Sequence, residues 1–263
     1  MAATTIKLDQ KIFFTGLIVA QTGLSIGGTD TGLGAGGADR VVIRDPLTNQ
    51  PYIPGSTLKG RMRSLVERLY GEFGPSPGAQ AGGPIKKPAT PETKQLGALF
   101  GLAADDSTPV PGRLAVRDAK LRNARWLDGQ RDLDLPYTEL KTEVTIDRIT
   151  ARTTPHHYER VPAGAIFGLD IVVTTYQVDG TADELNALLK PLFLGLRLVQ
   201  DETLGACGSR GYGKVRFHLD APTTRNAEAY INGEPAMPLD GVEVPADLRM
   251  NDEELAAVRE TLN

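Results

Sequence analysis

The order in which strand-like and helix-like stretches follow one another constrains the fold of this chain more than any other feature. Alternating or β-branched stretches predict strands, and two stretches with apolar residues at helical spacing predict helices. The predicted elements are a strand over 5–14, a helix over 56–70, a strand over 113–118, an extended hairpin over 137–160, a strand over 165–176, a helix over 181–199 and a strand over 213–219. This β-α-β-β-α-β order predicts an α+β, ferredoxin-like (RRM-like) core with large insertions.

Local signals also predict where the helices start and where the core is interrupted. Ser56 is of the residue type that caps a helix, and Thr181 followed by Glu184 fits a capping box. Residues 71–95 are rich in Gly and Pro and predict a long insertion. Residues 137–160 are polar and have too few apolar positions for a core face, so they predict a projecting hairpin.

Charge is unevenly distributed along the 263 residues, whose net charge is −4. The stretch from Leu239 to Asn263 holds seven acids and two bases, which gives it a net charge of −5. We therefore predict one domain over residues 1–220 and an acidic, proline-containing extension over 221–263. The overall acidity does not exclude a nucleic-acid partner, because local basic patches decide that binding.

Cysteine usage and hydropathy bound the cellular compartment. Cys207 is the only cysteine, which excludes an intramolecular disulfide and a cysteine-rich zinc site. No apolar run approaches the ~20 residues that a membrane span needs, and the segment Met1–Lys7 lacks the pattern of a signal peptide. These features predict a cytoplasmic protein without a membrane partner.

The segment Gly205–Phe217 combines four glycines with three basic residues and contains no acid. Its amides and cationic side chains suit phosphate oxygens. A Gly-x-Gly pattern alone is typical of an ordinary turn, but the density of positive charge favours phosphate binding. The predicted phosphate-binding residues are Ser209, Arg210, Gly211, Tyr212, Gly213 and Lys214.

A second basic segment opens the first predicted helix. A Gly-Ser turn at a helix start presents free amides and the positive end of the helix dipole to an anion. Lys59, Arg61 and Arg63 add positive charge to this helix. The segment is not a P-loop, because it lacks a correctly spaced Gly-Lys-Ser/Thr. An amphipathic helix with a solvated basic face is the alternative interpretation.

Several motifs, taken in their order along residues 5–220, resemble the RAMP (repeat-associated mysterious protein) superfamily. The stretches that carry the resemblance are Ile26–Asp30, Arg44–Arg63, Thr138–Thr150 and Gly208–Val215. Within that superfamily they are most similar to the backbone subunits of type III-A (Csm) CRISPR effector complexes, or of a type III-D relative. Four motifs in one order are more specific than any one of them alone.

The resemblance implies a ferredoxin-like palm with a hairpin thumb, copies of which stack in a filament along a guide RNA (crRNA). It implies crRNA, complementary target RNA, further copies of the chain and other complex subunits as partners in a prokaryotic cytoplasm. The phosphate-binding residues predicted above, including those of the first helix, would then contact RNA. It also implies endoribonuclease action on the target RNA with Mg²⁺ or another divalent cation.

By motif position, the carboxylate that would cut the RNA and hold the cation is Asp39. Carboxylate oxygens suit Mg²⁺, and RNA supplies its own nucleophile, the 2′-OH. Asp45 is the competing candidate, but an Asp before a proline predicts a turn. Members of the family often carry His where this chain has Ser25, and some hold zinc in an inserted loop. With one cysteine, we expect no structural zinc here.

Other hypotheses share part of these motifs. A non-catalytic RNA-binding subunit of the same kind of complex would differ only at Asp39. A stand-alone nucleotide-binding enzyme using residues 55–60 is disfavoured by the missing Walker motif. His156, His157 and Cys207 could suggest a metal site, but adjacent residues of an extended segment point to opposite sides. RNA contact or solvation is therefore the favoured role for the two histidines.

Overall fold

Long strands with buried alternate positions form the frame of the molecule. The computed structural model describes residues 5–27, 40–71, 91–101, 112–130 and 133–262. In chain order the strands are β1 (Ile6–Ala20), β2 (Tyr52–Ile53), β3 (Leu114–Val116), β4 (Ala119–Lys120), β5 (Glu139–Ile146), β6 (Thr153–Arg160), β7 (Ile166–Val178), β8 (Thr181–Ala182), β9 (Val215–Leu219), β10 (Thr223–Asn226) and β11 (Met237–Pro238). The helices are α1 (Gly55–Leu69), α2 (Pro91–Phe100), α3 (Ala124–Asp128), α4 (Leu185–Asp201), α5 (Ala227–Asn232) and α6 (Asp252–Leu262).

β1 is the central strand of the main sheet. Its alternate residues Ile12, Phe14 and Ile18 are fully buried. β7 pairs with it antiparallel along almost its whole length, and β3 pairs with β7. On the other edge of β1, β9 and β10 pair one after the other. The order β9-β1-β7-β3 is that of a ferredoxin-like sheet, so the predicted fold class is confirmed.

Two helices cover one face of this sheet. On α1, Leu58, Met62 and Leu65 recur at helical spacing and are buried, as the amphipathic pattern predicts. α4 packs beside α1, and its Phe193 meets Phe14 of β1 edge to face with 5.7 Å between ring centroids. Each fully buried aliphatic or aromatic side chain contributes about 1.5–3 kcal/mol to this core.

Both helices start differently from the prediction. α1 begins at Gly55, and the amide N–H of Gly55 donates to Asp118 Oδ1 over 2.8 Å; Ser56 is not its cap. Thr181 lies in β8, paired with β7, so the predicted capping box with Glu184 is wrong. At α1 a partner distant in sequence replaces the local cap, because the hydrogen bond to Asp118 satisfies a helix-start N–H group. At α4 the sheet pairing of Thr181 removes it from the helix start.

The two glycines of α1 should respond oppositely to alanine. A Cβ at Gly55 would lie 2.0 Å from the carbonyl oxygen of Val116, whereas a Cβ at Gly60 meets no described atom within 4 Å. We expect Gly55→Ala to lower the free energy of unfolding by about 1–3 kcal/mol. Gly60→Ala should raise it by up to about 1 kcal/mol, because alanine favours the helix. Urea unfolding measures both changes, and equal effects would contradict this packing.

The predicted projecting hairpin is formed by β5 and β6 and is called here the thumb hairpin (residues 139–160). The two strands pair from Glu139↔Arg160 at the base to Ile146↔Thr153 near the tip. At the tip, residues 147–152, the Asp147 carboxylate accepts the amide N–H groups of Ile149 and Thr150. The tip is thus held by its own hydrogen bonds while the Ile149 side chain stays 96% exposed.

A second turn repeats the geometry of this tip. In residues 45–50 the Asp45 carboxylate accepts the amide N–H groups of Leu47 and Thr48. These bonds lower the pKa of Asp45. The Leu47 side chain is 94% exposed, as Ile149 is on the thumb hairpin. The turn-forming role predicted for Asp45 is therefore confirmed.

The residues after β9 remain attached to the sheet. β10 pairs with β1 at Lys11↔Arg225, and β11 pairs with β10. The division into residues 1–220 and 221–263 stays a prediction. Of the insertion predicted over 71–95, residues 72–90 lie outside the described residues, and α2 begins at Pro91. Within the described ranges, none of the helices has the length and apolar character needed to cross a membrane.

Candidate nucleic-acid interface

The glycine-rich basic segment forms a loop over residues 203–214, called here the glycine loop, which is bound to the chain that follows β1. The amide N–H of Ala206 donates to the carbonyl of Ser25 over 2.8 Å, and that of Gly213 donates to Gly23 over 2.9 Å. Lys214 donates its amide N–H to Thr22 Oγ1. The sequence predicted that amides of this segment would face phosphate. These three amides instead donate hydrogen bonds within the protein, because a backbone loop near the core must satisfy its own N–H groups.

Two positions in the glycine loop require glycine. Gly205 has φ +84° and Gly213 has φ +76°, in the left-handed region. A Cβ at Gly205 would lie 2.4 Å from the carbonyl oxygen of Ser25, and one at Gly213 would lie 2.1 Å from that of Leu204. The glycines therefore fix a tight path for the loop and do not make it flexible.

Exposure separates the predicted residues of the glycine loop into two groups. Ser209, Arg210, Gly211 and Lys214 are exposed, whereas Tyr212 and Gly213 are buried. Two cations lie over the ring of Tyr212, with Lys141 Nζ 4.7 Å and the Arg160 guanidinium carbon 4.9 Å from its centroid. Its burial, together with the Glu143 carboxylate, raises the pKa of its hydroxyl. The Tyr212 ring joins the loop to the thumb hairpin and is not available to stack on a base.

A cluster of cationic groups surrounds Tyr158 at the base of the thumb hairpin. The guanidinium carbons of Arg40 and Arg210 lie 5.6 Å and 5.8 Å from the Tyr158 ring centroid. The His156 ring stacks on the same tyrosine, with 6.1 Å between centroids. Arg210 also pairs with Glu143 at 2.8 Å. We call Arg40 and Arg210, which share the Tyr158 ring with the neighbouring His156, the cationic cluster. The sequence predicted Arg210 at the interface and favoured RNA contact or solvation for His156, but it did not include Arg40.

The basic residues of α1 point in different directions. Lys59 Nζ donates to the Leu114 carbonyl over 2.7 Å, and desolvation, followed by the charge of Arg63, lowers the pKa of its ammonium. Arg63 pairs with Glu67 within the helix at 2.7 Å. Arg61 points instead towards the glycine loop, where its Nε donates to the Thr203 carbonyl. The structure thus brings Arg61 together with the glycine loop and turns Lys59 and Arg63 to other partners.

An open groove of about 460 Å³ lies between α1 and the glycine loop. Small residues line most of it, which leaves the main chain accessible. Its lining consists of Ile26, Gly27, Thr57, Gly60, Arg61, Ser64, Gly205 and Ala206. The groove joins the two segments that sequence analysis predicted independently, and Arg61 carries the positive charge on its α1 side.

A buried network joins the base of the thumb hairpin to the segment of residues 40–44. The Glu159 carboxylate, 4% exposed, accepts from Arg44 at 2.5 Å and from the amide of Val42 at 2.8 Å. Thr138 Oγ1 donates to the same carboxylate. The hydroxyl of Ser25 is buried and donates to the Glu159 carbonyl. The serine at this position therefore has a hydrogen-bond acceptor inside the fold.

The predicted catalytic residue Asp39 lies outside the described residues, and the chain resumes at Arg40. Arg40 is held against the thumb hairpin, because its carbonyl accepts the amide N–H of Glu159 over 3.1 Å. Among the residues that the structure describes, no three His, Cys, Asp or Glu side chains converge on a point where they could hold a metal ion. His156 stacks on Tyr158 and His157 Nδ1 lies 3.0 Å from Thr142 Oγ1.

The sheet order and the two covering helices place this chain in the ferredoxin-like class of α+β proteins, with a projecting hairpin and a basic loop at the hairpin base. The model of the RAMP superfamily matches residues 18–216. The chain belongs to the RAMP superfamily and, within it, to the family of the Csm3 proteins.

Two curated relatives carry the name CRISPR system Cms endoribonuclease Csm3. The protein of Streptococcus thermophilus is 39% identical over 217 residues, covering 81% of this chain and 90% of the relative. That of Methanothermobacter thermautotrophicus is 36% identical over 239 residues, covering 85% of this chain and 90% of the relative.

Solved structures of the same family share the fold. The crystal structure of Methanopyrus kandleri Csm3 superposes with a TM-score of 0.61 at 22% identity, covering 97% of this chain and 98% of the other. A chain of the Csm3–Csm4 subcomplex of a type III-A CRISPR–Cas interference complex gives a TM-score of 0.54 at 24% identity, covering 97% of both chains.

Proposed function

We propose that the protein is the backbone subunit of a type III CRISPR ribonucleoprotein, which binds crRNA as a filament of copies and cleaves complementary target RNA. The relatives named as endoribonucleases support the activity, and the chain taken from a Csm3–Csm4 subcomplex supports assembly with other subunits. Within this chain, the proposal is carried by one observation: Arg210 and Lys214 are exposed on a rigid loop at the base of a projecting hairpin.

The crRNA backbone would lie along the glycine loop and the groove beside α1. Arg210 and Lys214 offer exposed cationic donors, and Arg61 stands at the rim of the groove with its guanidinium oriented by Thr203 and Glu202. Ser209 and Gly211 add exposed positions of the same loop. Contacts to phosphate confer affinity without sequence preference, as a subunit that accepts any guide sequence requires.

The thumb hairpin would reach across to the RNA held by a neighbouring copy. Val144 and Ile146 of β5 are more than half exposed, and Ile149 at the tip is 96% exposed. An aliphatic edge on a hairpin that projects from the core suggests a covering partner. A head-to-tail contact that does not close on itself generates a filament, and the RNA would set its length.

Cleavage would use Asp39 together with Mg²⁺ or another divalent cation. Carboxylate and phosphate oxygens are the ligands that Mg²⁺ prefers, and a cation bound there would stabilise charge on the phosphoryl oxygens. Asp45 does not compete for this role, because its carboxylate already accepts two amide N–H groups and pairs with Lys120. A cytoplasmic setting in a prokaryotic cell is part of the same proposal.

The cleavage reaction requires few chemical groups from the protein. The 2′-oxygen of the target forms a bond to phosphorus while the bond from phosphorus to the 5′-oxygen breaks. The 2′-OH loses its proton, the leaving 5′-oxygen gains one, and the products are a 2′,3′-cyclic phosphate and a 5′-hydroxyl. Because the nucleophile belongs to the RNA, the task of the protein is to position the phosphate and to stabilise its charge.

A non-catalytic RNA-binding subunit is the second candidate. It shares every basic contact with the first candidate and differs only in whether the target RNA is cut.

Native purification of the assembled complex tests the function directly. The complex should copurify with RNA, bind labelled complementary RNA with an affinity that falls as salt rises, and cut that RNA only when a divalent cation is present. A stand-alone nucleotide-binding enzyme would purify without RNA. Binding without cutting at any cation concentration would favour the non-catalytic subunit.

A further inference from the structure

Arg40 differs from most arginines at the interface in lacking an acidic partner. Arg44, Arg61, Arg160 and Arg210 each form an ion pair with a glutamate. The Arg40 side chain is exposed, and its hydrogen bonds and ion pairs within the described ranges include no carboxylate. Its Nη1 lies 3.9 Å from the sulfur of Cys207. Its positive charge is therefore not neutralised by the described part of the fold.

The Arg40 side chain is nevertheless held in place. Its main chain forms a parallel bridge with Tyr158 of β6, and its guanidinium carbon lies 5.6 Å from the centroid of the Tyr158 ring. Tyr158 as a whole is only 9% exposed, so its ring forms a fixed platform. A cation–π contact of this kind orients a guanidinium, and beyond the weak contact of Nη1 with the Cys207 sulfur it leaves most of the five N–H donors for another acceptor.

The surroundings of Arg40 favour a phosphate as that acceptor. The Arg210 guanidinium contacts the same Tyr158 ring, at 5.8 Å, and His156 stacks beside it. Glu143 is the carboxylate that pairs with Arg210, so it neutralises one cation of the cluster and leaves Arg40 uncompensated. A phosphodiester at the base of the thumb hairpin would meet the planar N–H fork of a guanidinium that the Tyr158 ring holds in place.

We propose that Arg40 is a catalytic residue of the cleavage site, which contacts the scissile phosphate of the target RNA, and that Tyr158 is the positioning residue that holds it. This inference rests on the proposed function, since it assigns a residue to the same reaction. As the 2′-oxygen bonds to phosphorus and the 5′-oxygen departs, negative charge grows on the non-bridging oxygens. A guanidinium fixed beside them stabilises that charge more than it stabilises the bound target.

The inference requires a loss of rate without a loss of binding. Complexes assembled with Arg40→Ala should cut bound, labelled target about 100-fold more slowly under single-turnover conditions, because removing one oriented donor costs on the order of 10²–10³ in rate. The dissociation constant, measured with a target carrying a 2′-deoxy substitution at each cut position, should change less than about 3-fold, since binding is shared among many phosphate contacts. Arg40→Lys should keep charge and lose about 10-fold, because it lacks the planar fork.

Variants of Tyr158 separate positioning from folding. Tyr158→Phe keeps the aromatic face and should cut at close to the wild-type rate, whereas Tyr158→Leu loses the cation–π contact and should cut roughly 10-fold more slowly, in line with the energy of such a contact. Arg125→Ala, an exposed arginine on α3, is the matched control and should leave rate and affinity unchanged. Urea unfolding of each chain reports whether a variant has lost stability.

The results distinguish this inference from the proposed function. Arg40→Ala cutting at the wild-type rate, or losing only affinity while its rate at saturation is kept, would overturn the role of Arg40. If Arg40→Ala abolishes cutting and Asp39→Ala does not, the inference holds and the assignment of Asp39 fails. A complex that binds target and never cuts it would overturn both.

Discussion

A complex assembled from the Asp39→Ala variant should bind complementary target RNA with unchanged affinity and cut it at least about 100-fold more slowly than the wild-type complex. A metal ion that stabilises phosphoryl charge supplies several kcal/mol to the transition state, and each 1.36 kcal/mol is about tenfold in rate. The measurement is single-turnover cleavage of labelled target over a series of Mg²⁺ concentrations. A variant that still needs the cation and cuts normally would show that another carboxylate holds it.

Asp45→Ala is the matched control for this experiment. Asp45 lies six residues further along the chain, and its carboxylate holds the turn of residues 45–50. Removing it should cost about 1 kcal/mol of stability, as the loss of a similar side-chain cap does, and should leave the cleavage rate close to wild type. Loss of cleavage in Asp45→Ala at unchanged stability would reverse the assignment of the two aspartates.

The Glu159→Ala variant should lose about 3–5 kcal/mol of unfolding free energy, because it leaves a largely buried cation without its partner. Glu159 accepts from Arg44, Val42 and Thr138 and is 4% exposed at its side chain. Removing the Glu159 carboxylate leaves these three neighbouring donors without the acceptor that they share. Urea unfolding of the isolated chain measures the loss as a lower midpoint with an unchanged dependence of the free energy of unfolding on urea concentration.

Two further variants make that result specific. Glu159→Gln keeps an acceptor oxygen and removes the charge, so it should lose less than Glu159→Ala. Asp170→Ala removes the partner of Arg117 from a pair whose arginine is 62% exposed, and it should cost less than about 1 kcal/mol. A Glu159→Ala loss no larger than that of Asp170→Ala would show that the buried network contributes little to stability.

The order of the core elements could be predicted because strand and helix periodicities are local. Boundaries were less predictable. The first strand was predicted to end at residue 14, yet β1 continues through Gly16 to Ala20. A Cβ at Gly16 would lie 1.9 Å from the carbonyl oxygen of His218, so glycine here admits the neighbouring strand β9. That contact joins residues about 200 positions apart, and no local pattern reports it.

The site could be predicted only in part, for a similar reason. The density of charge in the glycine loop predicted exposed cations, and Arg210 and Lys214 are exposed. Charge alone could not show that Lys59 would turn towards the carbonyl of Leu114. The Arg40–Tyr158 contact was also missed. One signal for an aromatic platform was present in the sequence. His156 and Tyr158 are two residues apart in a predicted strand, so their side chains share a face.

The register of the thumb hairpin limits how its reach can change. Its base is fixed at Glu139↔Arg160, and successive side chains of a strand point to opposite faces. Adding one residue to each strand would rotate the tip so that Ile149 faced the opposite way. Two residues per strand restore the orientation and lengthen the hairpin by about 7 Å. Thumb hairpins of this design should therefore differ in length by steps of two residues per strand, so that their reach changes in discrete steps and not continuously.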